Sequence, residues 1–279
     1  MSTAKTLEVP GYQVVQFLGS GARSTTWEIR DRDTNQLFAL KRVVKRQPSD
    51  TRFLDQAVNE YTVASQLDHP VLRRIHRLRR VKRWLVLREI HLFMEYCDGK
   101  TLQEQRPESA LETVRVFAQV AGALAYMNGR GFVHADMKPN NVVVAAKGEV
   151  KIIDLGQSCP VGTVKKRIQG TPDFISPEQV NRRPLDARTD VFNCGAALYW
   201  TLTGKPIPTV MPKKSGMVLL SELAVVPPEQ VNDKVPISLS KLVLDCVHMS
   251  PSHRPESMID VQMRLNLIAH TLTLKGPGL

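Results

Sequence analysis

No apolar run in this chain approaches the ~18 residues that a membrane span requires, and Met1 to Val15 hold no apolar stretch of the kind that opens a secretory signal. Cysteine is scarce. Cys97, Cys159, Cys194 and Cys246 stand far apart, with no Cys-x-x-Cys pair and no neighbouring histidine cluster. That spacing excludes a disulfide scaffold and a thiolate metal site, and it leaves reduced thiols in a protein expected to be soluble and cytoplasmic. Internal repeats and low-complexity tracts are missing as well, which excludes solenoids and fibrous arrays. With 279 residues, 42% hydrophobic and 23% charged, the chain has enough apolar material for a sizeable core, so disorder is excluded too.

Acidic residues are absent from one segment in particular. Residues 73–88 (RRIHRLRRVKRWLVLR) carry seven Arg and one Lys against no Asp or Glu, which supplies eight of the net +11 charges. Such a run suits an acidic partner, lipid headgroups or nucleic acid. It equally suits a solvated strand pair whose charges discourage edge-to-edge association. Aromatic residues hardly interrupt it, with Trp84 alone inside the run, so a stacking platform for single-stranded nucleic acid is not expected.

Hydrophobic periodicity changes along the chain. Short strand-like runs with one helix fill the region from Gly11 to Tyr96, and helical stripes dominate from Leu111 onward, which predicts two lobes. The first helix is predicted over 51–67, with Asp50 as its N-cap and Phe53, Ala57, Glu60, Ala64 and Leu67 on one face. Glu60 is then a carboxylate on an apolar stripe, which is costly unless a cation meets it. Lys41, at the end of the strand-like run Leu37-Phe38-Ala39-Leu40 and on the same side as Ala39, is the candidate. Two later stripes, Val116, Val120, Leu124, Met127 and Val191, Cys194, Leu198, Leu202, end at Gly129/Gly131 and Gly204 and read as core helices. The tail from Leu274 to Leu279 reads as frayed.

Two stretches point to chemistry. Leu18-Gly19-Ser20-Gly21-Ala22-Arg23-Ser24-Thr25-Thr26 is glycine-rich, so its backbone amides can approach phosphate oxygens closely, although a plain hairpin accounts for it equally well. Strand follows it rather than helix, and no Gly-Lys-Ser/Thr is present, which argues against a P-loop or dinucleotide fold. More specific is His134-Ala135-Asp136-Met137-Lys138-Pro139-Asn140-Asn141, followed by Val142-Val143-Val144 and then Val150-Lys151-Ile152-Ile153-Asp154-Leu155-Gly156. The oxygen ligands of Asn141 and Asp154 suit Mg²⁺, which takes few protein groups and completes its shell with water and phosphate. Asp136 and Lys138 remain for the group being transferred.

In this order the residues resemble the eukaryotic-like, or Hanks-type, Ser/Thr protein kinase catalytic domain, from Tyr12 to about Leu267. The intervals agree with the resemblance: 15 residues from Thr26 to Lys41, 19 from Lys41 to Glu60, 5 from Asp136 to Asn141 and 18 from Asp136 to Asp154. It implies an α+β bilobal fold in a single domain over 1–279, with a β-rich N-lobe at about 11–96 and a mainly helical C-lobe at about 97–270. It also implies ATP and Mg²⁺ as cofactors and a protein substrate with a Ser or Thr acceptor. Lys41 would hold the α- and β-phosphates and Glu60 would orient Lys41. Asp136 would accept the hydroxyl proton, Lys138 would offset γ-phosphoryl charge, and Asn141 with Asp154 would hold the metal.

Around the adenine, the resemblance places Leu18, Thr26 and Ala39 as a roof, Gly19 and Gly21 over the phosphates, and Met94, Glu95, Tyr96 and Cys97 as gatekeeper and hinge. Ser176-Pro177-Glu178 matches the A-P-E triplet, with Glu178 pairing Arg254. Asp190 would bond the catalytic loop, and Thr171 would contact Asp136 and Lys138. Three positions depart from the pattern: Ala135 replaces the Arg of H-R-D, Leu155 the Phe of D-F-G and Ser24 the third Gly. Ala135 removes the cation that ordinarily receives an activation-segment phosphate, so phosphate on Ser158 or Thr163 is not expected to switch activity. A pseudokinase acting as a binding module is the alternative from another class. A small-molecule phosphotransferase is disfavoured by the A-P-E-like triplet and its arginine.

Overall fold

In the computed structural model, residues 7–208 and 224–275 are described. They divide into two compact units, the first running to Asp98 apart from His69–Leu72, which group with the second, and the second continuing from Gly99.

The first unit is a five-stranded antiparallel sheet with one helix. Its elements are β1 (Tyr12–Ser20), β2 (Ser24–Asp31), β3 (Leu37–Val44), α1 (Thr51–Ala64), β4 (Ile75–Arg83) and β5 (Val86–Glu95). The strand order is β1-β2-β3-β5-β4, which leaves the basic strand β4 at an edge. Alternation along β3 and β5 sends side chains to two cores. Ala39, Val43, Ile90, Leu92 and Met94 pack with Leu54 and Ala57 of α1, whereas Leu40 and Phe93 pack with Leu7, Val9 and Ile29. Each buried Leu or Phe contributes about 1.5–3 kcal/mol relative to exposure.

Several local expectations shift here. Helix α1 ends at Ala64, so Leu67 lies beyond it; the expected Ala57, Glu60 and Ala64 are buried, but Leu54 and Val63 join them while Phe53 is only partly buried. The sheet selects that phase. Asp50 has helical backbone angles and does not cap α1 with its side chain. Its carboxylate instead accepts from Arg23 Nε at 2.9 Å and from the Arg46 and Gln47 amides at 3.0 and 3.1 Å, closing the turn before the helix. Lys41 sits inside β3, which continues to Val44.

The second unit contains β6 (Lys100–Thr101), α2 (Ala110–Gly129), β7 (Phe132–Val133), β8 (Val142–Val144), β9 (Val150–Ile152), β10 (Cys159–Pro160), α3 (Pro177–Val180), α4 (Ala187–Thr203), α5 (Pro228–Val231), α6 (Ile237–Cys246) and α7 (Met258–Lys275). Ser109 caps α2 by accepting from the Glu112 amide at 3.1 Å. Both sequence stripes are buried on α2 and α4, and Gly204 ends α4 at φ +72°, a conformation that favours glycine. Helix α7 carries Leu274 and Lys275 within regular structure, against the expectation that fraying starts at Leu274; residues 276–279 lie outside the described residues. The architecture is α+β, a β-rich first unit and a mainly helical second one.

Candidate functional site

In the first unit, the register pairs Thr26 with Lys41 on neighbouring strands and Ala39 with Met94. Lys41 Nζ donates to Glu60 Oε2 at 2.7 Å, and the Glu60 side chain is 1% exposed. The helical phase that buries Glu60 therefore brings it to the strand position that supplies its cation. The glycine-rich stretch is largely strand: β1 runs through Leu18 and Gly19 to Ser20, β2 begins at Ser24, and the Gly21 amide closes the turn on the Ser24 carbonyl at 2.9 Å. Leu18 is exposed and Ala39 buried. Met94 is fully buried next to Glu95, whose amide donates to the Arg74 carbonyl at 2.9 Å; Cys97 follows, its thiol 3.8 Å from the Glu95 carbonyl.

In the second unit the loop between β7 and β8 carries a charge-assisted triad. Lys138 Nζ donates to Asp136 Oδ2 at 3.0 Å and to Thr171 Oγ1 at 2.8 Å, and the Thr171 hydroxyl donates to Asp136 Oδ1 at 2.9 Å. Both carboxylate oxygens of Asp136 are thus held, and the side chain cannot swing without breaking two bonds. Gly170 precedes Thr171 at φ +138°, and a Cβ there would come within 3.0 Å of Ile175, so the approach to Thr171 requires glycine. Asn141 donates its amide to the Asp136 carbonyl at 2.8 Å, which leaves its side-chain oxygen for a cation. Asp154, just after β9, accepts from the Gly156 amide at 2.9 Å. The two supply hard oxygen donors of the kind that fit Mg²⁺ rather than a thiophilic metal. Among the described residues, no group of three or more His, Cys, Asp or Glu could hold a metal ion.

Behind this loop, Asp190 of α4 is fully buried. It accepts from the His134 amide at 3.0 Å, the Ala135 amide at 2.9 Å and Asn128 Nδ2 at 2.8 Å. Burial pushes its carboxyl above the usual carboxylate range, against the pull of His134 and of these donors. Ala135 adopts φ +60°, an unusual conformation for a non-glycine residue, and the two amides clamped by Asp190 hold it there. In place of a cation, Ala135 contributes a methyl to a small apolar cluster with Val133, Cys159 and Leu185. Ser158 is buried and its hydroxyl faces the His134 carbonyl at 3.5 Å, so it is not displayed for modification, whereas Thr163 is partly exposed.

Glu178 of α3 and Arg254 form a two-pronged ion pair, Nη1 to Oε1 at 2.8 Å and Nη2 to Oε2 at 3.0 Å. The sequence marks Gln179 only as the end of the run Ser176 to Gln179 and assigns it no bonding role. Its amide donates to the Ala135 carbonyl at 2.7 Å and to the Gln169 carbonyl at 3.2 Å, while its oxygen accepts from Asn193 at 2.9 Å. It joins the catalytic-type loop to the segment before Thr171. Its place after Ser176-Pro177-Glu178 was the only available signal, and spacing alone does not disclose such a link.

The family profile described as protein kinase domain matches residues 12–264. Among curated proteins, the chain is 26% identical over 259 residues to a probable serine/threonine-protein kinase of Clostridium acetobutylicum, covering 90% of this chain and 38% of that protein. It is 27% identical over 268 residues to the serine/threonine-protein kinase PknB of Mycobacterium leprae, covering 92% and 42%. It is 28% identical over 202 residues to the CBL-interacting serine/threonine-protein kinase 20 of Arabidopsis thaliana, covering 69% and 45%. The chain therefore spans less than half the length of each of these relatives.

Proposed function

The chain belongs to the protein kinase domain family, and from that premise we propose that it transfers the γ-phosphoryl group of ATP to Ser or Thr hydroxyls of proteins, itself included. The observation that carries this reading is the triad of Asp136, Lys138 and Thr171. In the proposed reaction the substrate hydroxyl oxygen attacks the γ-phosphorus, its proton passes to Asp136, and the bond to the β-phosphate oxygen breaks to release ADP. Lys138 offsets charge on the transferring group, and Thr171 keeps Asp136 and Lys138 in register. Lys41, oriented by Glu60, contacts the α- and β-phosphates, and the adenine lies against Leu18, Thr26, Ala39 and the Met94–Cys97 strand end. Asn141 and Asp154 hold Mg²⁺, which supplies charge neutralisation of the phosphates. Positioning and preorganised charge account for most of the rate.

The apolar cluster at Ala135 supports activity that does not wait for a segment phosphate, because no cation stands beside Asp136 at that position. A cytoplasmic location belongs to the same proposal; among the described residues no helix is long and apolar enough to cross a membrane. Transfer from labelled ATP to a generic basic protein and to the enzyme itself, with and without Mg²⁺, tests the reading. Asp136→Asn is expected to abolish transfer while nucleotide binding and folding persist. Full activity in that variant overturns the assignment. ATP binding with no transfer by the unaltered chain returns the pseudokinase alternative.

A further inference from the structure

The basic segment forms the β4–β5 hairpin, and its position explains part of its charge. Edge strand β4 is protected from pairing by exposed cations. That account does not reach the turn. Trp84 and Leu85 alone connect the two strands, at φ +52° and +64°, and they are 89% and 91% exposed. A two-residue turn with both residues at positive φ favours Asn-Gly, and bulky side chains there are strained. Among the described residues nothing repays the strain by packing, since both side chains stand in solvent.

The cations near the tip are equally unsatisfied. Arg74 bonds Asp68 at 2.7 Å and Arg77 stacks over Phe93 at 4.2 Å. Glu89, the first acid after the run, is engaged by Arg42 through two bonds of 2.6 Å and by His91 at 2.9 Å. Arg80, Lys82, Arg83 and Arg88 have no carboxylate partner among the described residues. An apolar pair at an exposed two-residue turn, flanked by unpaired cations, is unlike the core of a protein interface, which is depleted of charge. It matches an anionic bilayer instead, where indole settles at the headgroup level and lysine and arginine meet acidic lipid.

We propose that the β4–β5 hairpin docks this protein peripherally on anionic lipid surfaces, inserting Trp84 and Leu85 while Arg80, Lys82, Arg83 and Arg88 contact the headgroups. Cosedimentation of the full chain with phosphatidylcholine vesicles, alone or with about one part in four phosphatidylserine, tests it. Binding is expected only with phosphatidylserine and is expected to weaken as salt is raised. The triple variant Arg80→Gln, Lys82→Gln, Arg83→Gln is expected to bind roughly a hundredfold less, at roughly fivefold per cation. The double variant Trp84→Asn, Leu85→Gly separates docking from folding, because it is expected to lose binding while its melting temperature rises as the strained turn relaxes. A lower melting temperature would show that the pair serves the fold and overturn the proposal. So would vesicle binding that these variants leave unchanged, or binding to polyglutamate with none to vesicles, which would point to an acidic protein partner.

Discussion

Arginine 254 allows a quantitative test of what holds the second unit together. Its guanidinium is 0% exposed and faces Glu178, which is 8% exposed. Besides the two-pronged bond to that carboxylate, it donates to the carbonyls of His248 at 2.7 Å, Arg188 at 2.8 Å and Met249 at 3.3 Å, and it lies 4.8 Å over the Phe192 ring. Arg254→Met fills similar volume but leaves Glu178 charged and buried, with the Thr189 hydroxyl at 2.9 Å as its remaining neutral donor. Removing one member of a buried pair costs roughly 3–5 kcal/mol, because the survivor keeps its desolvation penalty. For a unit of this size that corresponds to a fall of roughly 6–20 °C in its melting temperature. Adding Glu178→Gln removes the stranded charge, so the double variant is expected to be less destabilised than the sum of the single changes, by at least about 1 kcal/mol of coupling. Arg254→Lys is expected to fall between, since a point charge cannot reproduce the fork. Calorimetry resolves the transition. A loss under about 1 kcal/mol for Arg254→Met, or strict additivity in the cycle, refutes the argument.

Four further outcomes follow from the remaining geometry. Thr171→Val removes one charge-assisted bond to Asp136 and one to Lys138, so the transfer rate constant is expected to fall roughly 10- to 100-fold with Thr171→Ser close to the unaltered protein; phosphatase treatment is expected to leave activity unchanged, and steady-state kinetics check both. Lys41→Met is expected to lower transfer by orders of magnitude while circular dichroism reports an intact fold; unfolding would show that the pair with Glu60 is needed for stability. The bonds from Arg42, aided by His91, hold the Glu89 carboxyl down from 4.5 to about 2. A depressed carboxylate contributes stability that is present above its unfolded value and lost as pH falls from about 4.5 toward 2, so Glu89→Gln is expected to flatten the acid limb of a stability-against-pH curve between those values.

Much of the plan is carried by local pattern. The stripes of α2 and α4 are legible because a helix repeats its face every three or four residues and buried positions must be apolar. The same reasoning placed Glu60 on an apolar face and asked for a cation, and Lys41 meets it at 2.7 Å. Ordered spacing of Asp136, Lys138, Asn141 and Asp154 singled out residues that the fold carries in the short segments around β8 and β9. Periodicity was less informative about phase and ends. Phe53 and Leu54 are both compatible with a helical stripe, and the sheet against α1 selected Leu54 and ended the helix at Ala64.

The family resemblance implies the link from Asp190 to the loop, but which groups it joins, and every bond of Gln179, were decided by tertiary structure alone. Asp190 collects the His134 and Ala135 amides from 56 and 55 residues away, and Gln179 reaches Ala135 across 44. No local pattern encodes such bonds, because their donors are backbone groups that every residue possesses. The cost of leaving a buried carboxylate or amide unpaired is what makes them obligatory once the chain is packed. Ser158 and Thr163 look alike as hydroxyls in a polar stretch, yet packing against the His134 carbonyl buries the first and leaves the second partly exposed. The basic run was plain as charge from its first reading. Only the fold showed that it turns on Trp84 and Leu85 at positive φ, with Glu89 already committed to Arg42, because a residue's backbone conformation and a charge's partner are properties of the assembled sheet.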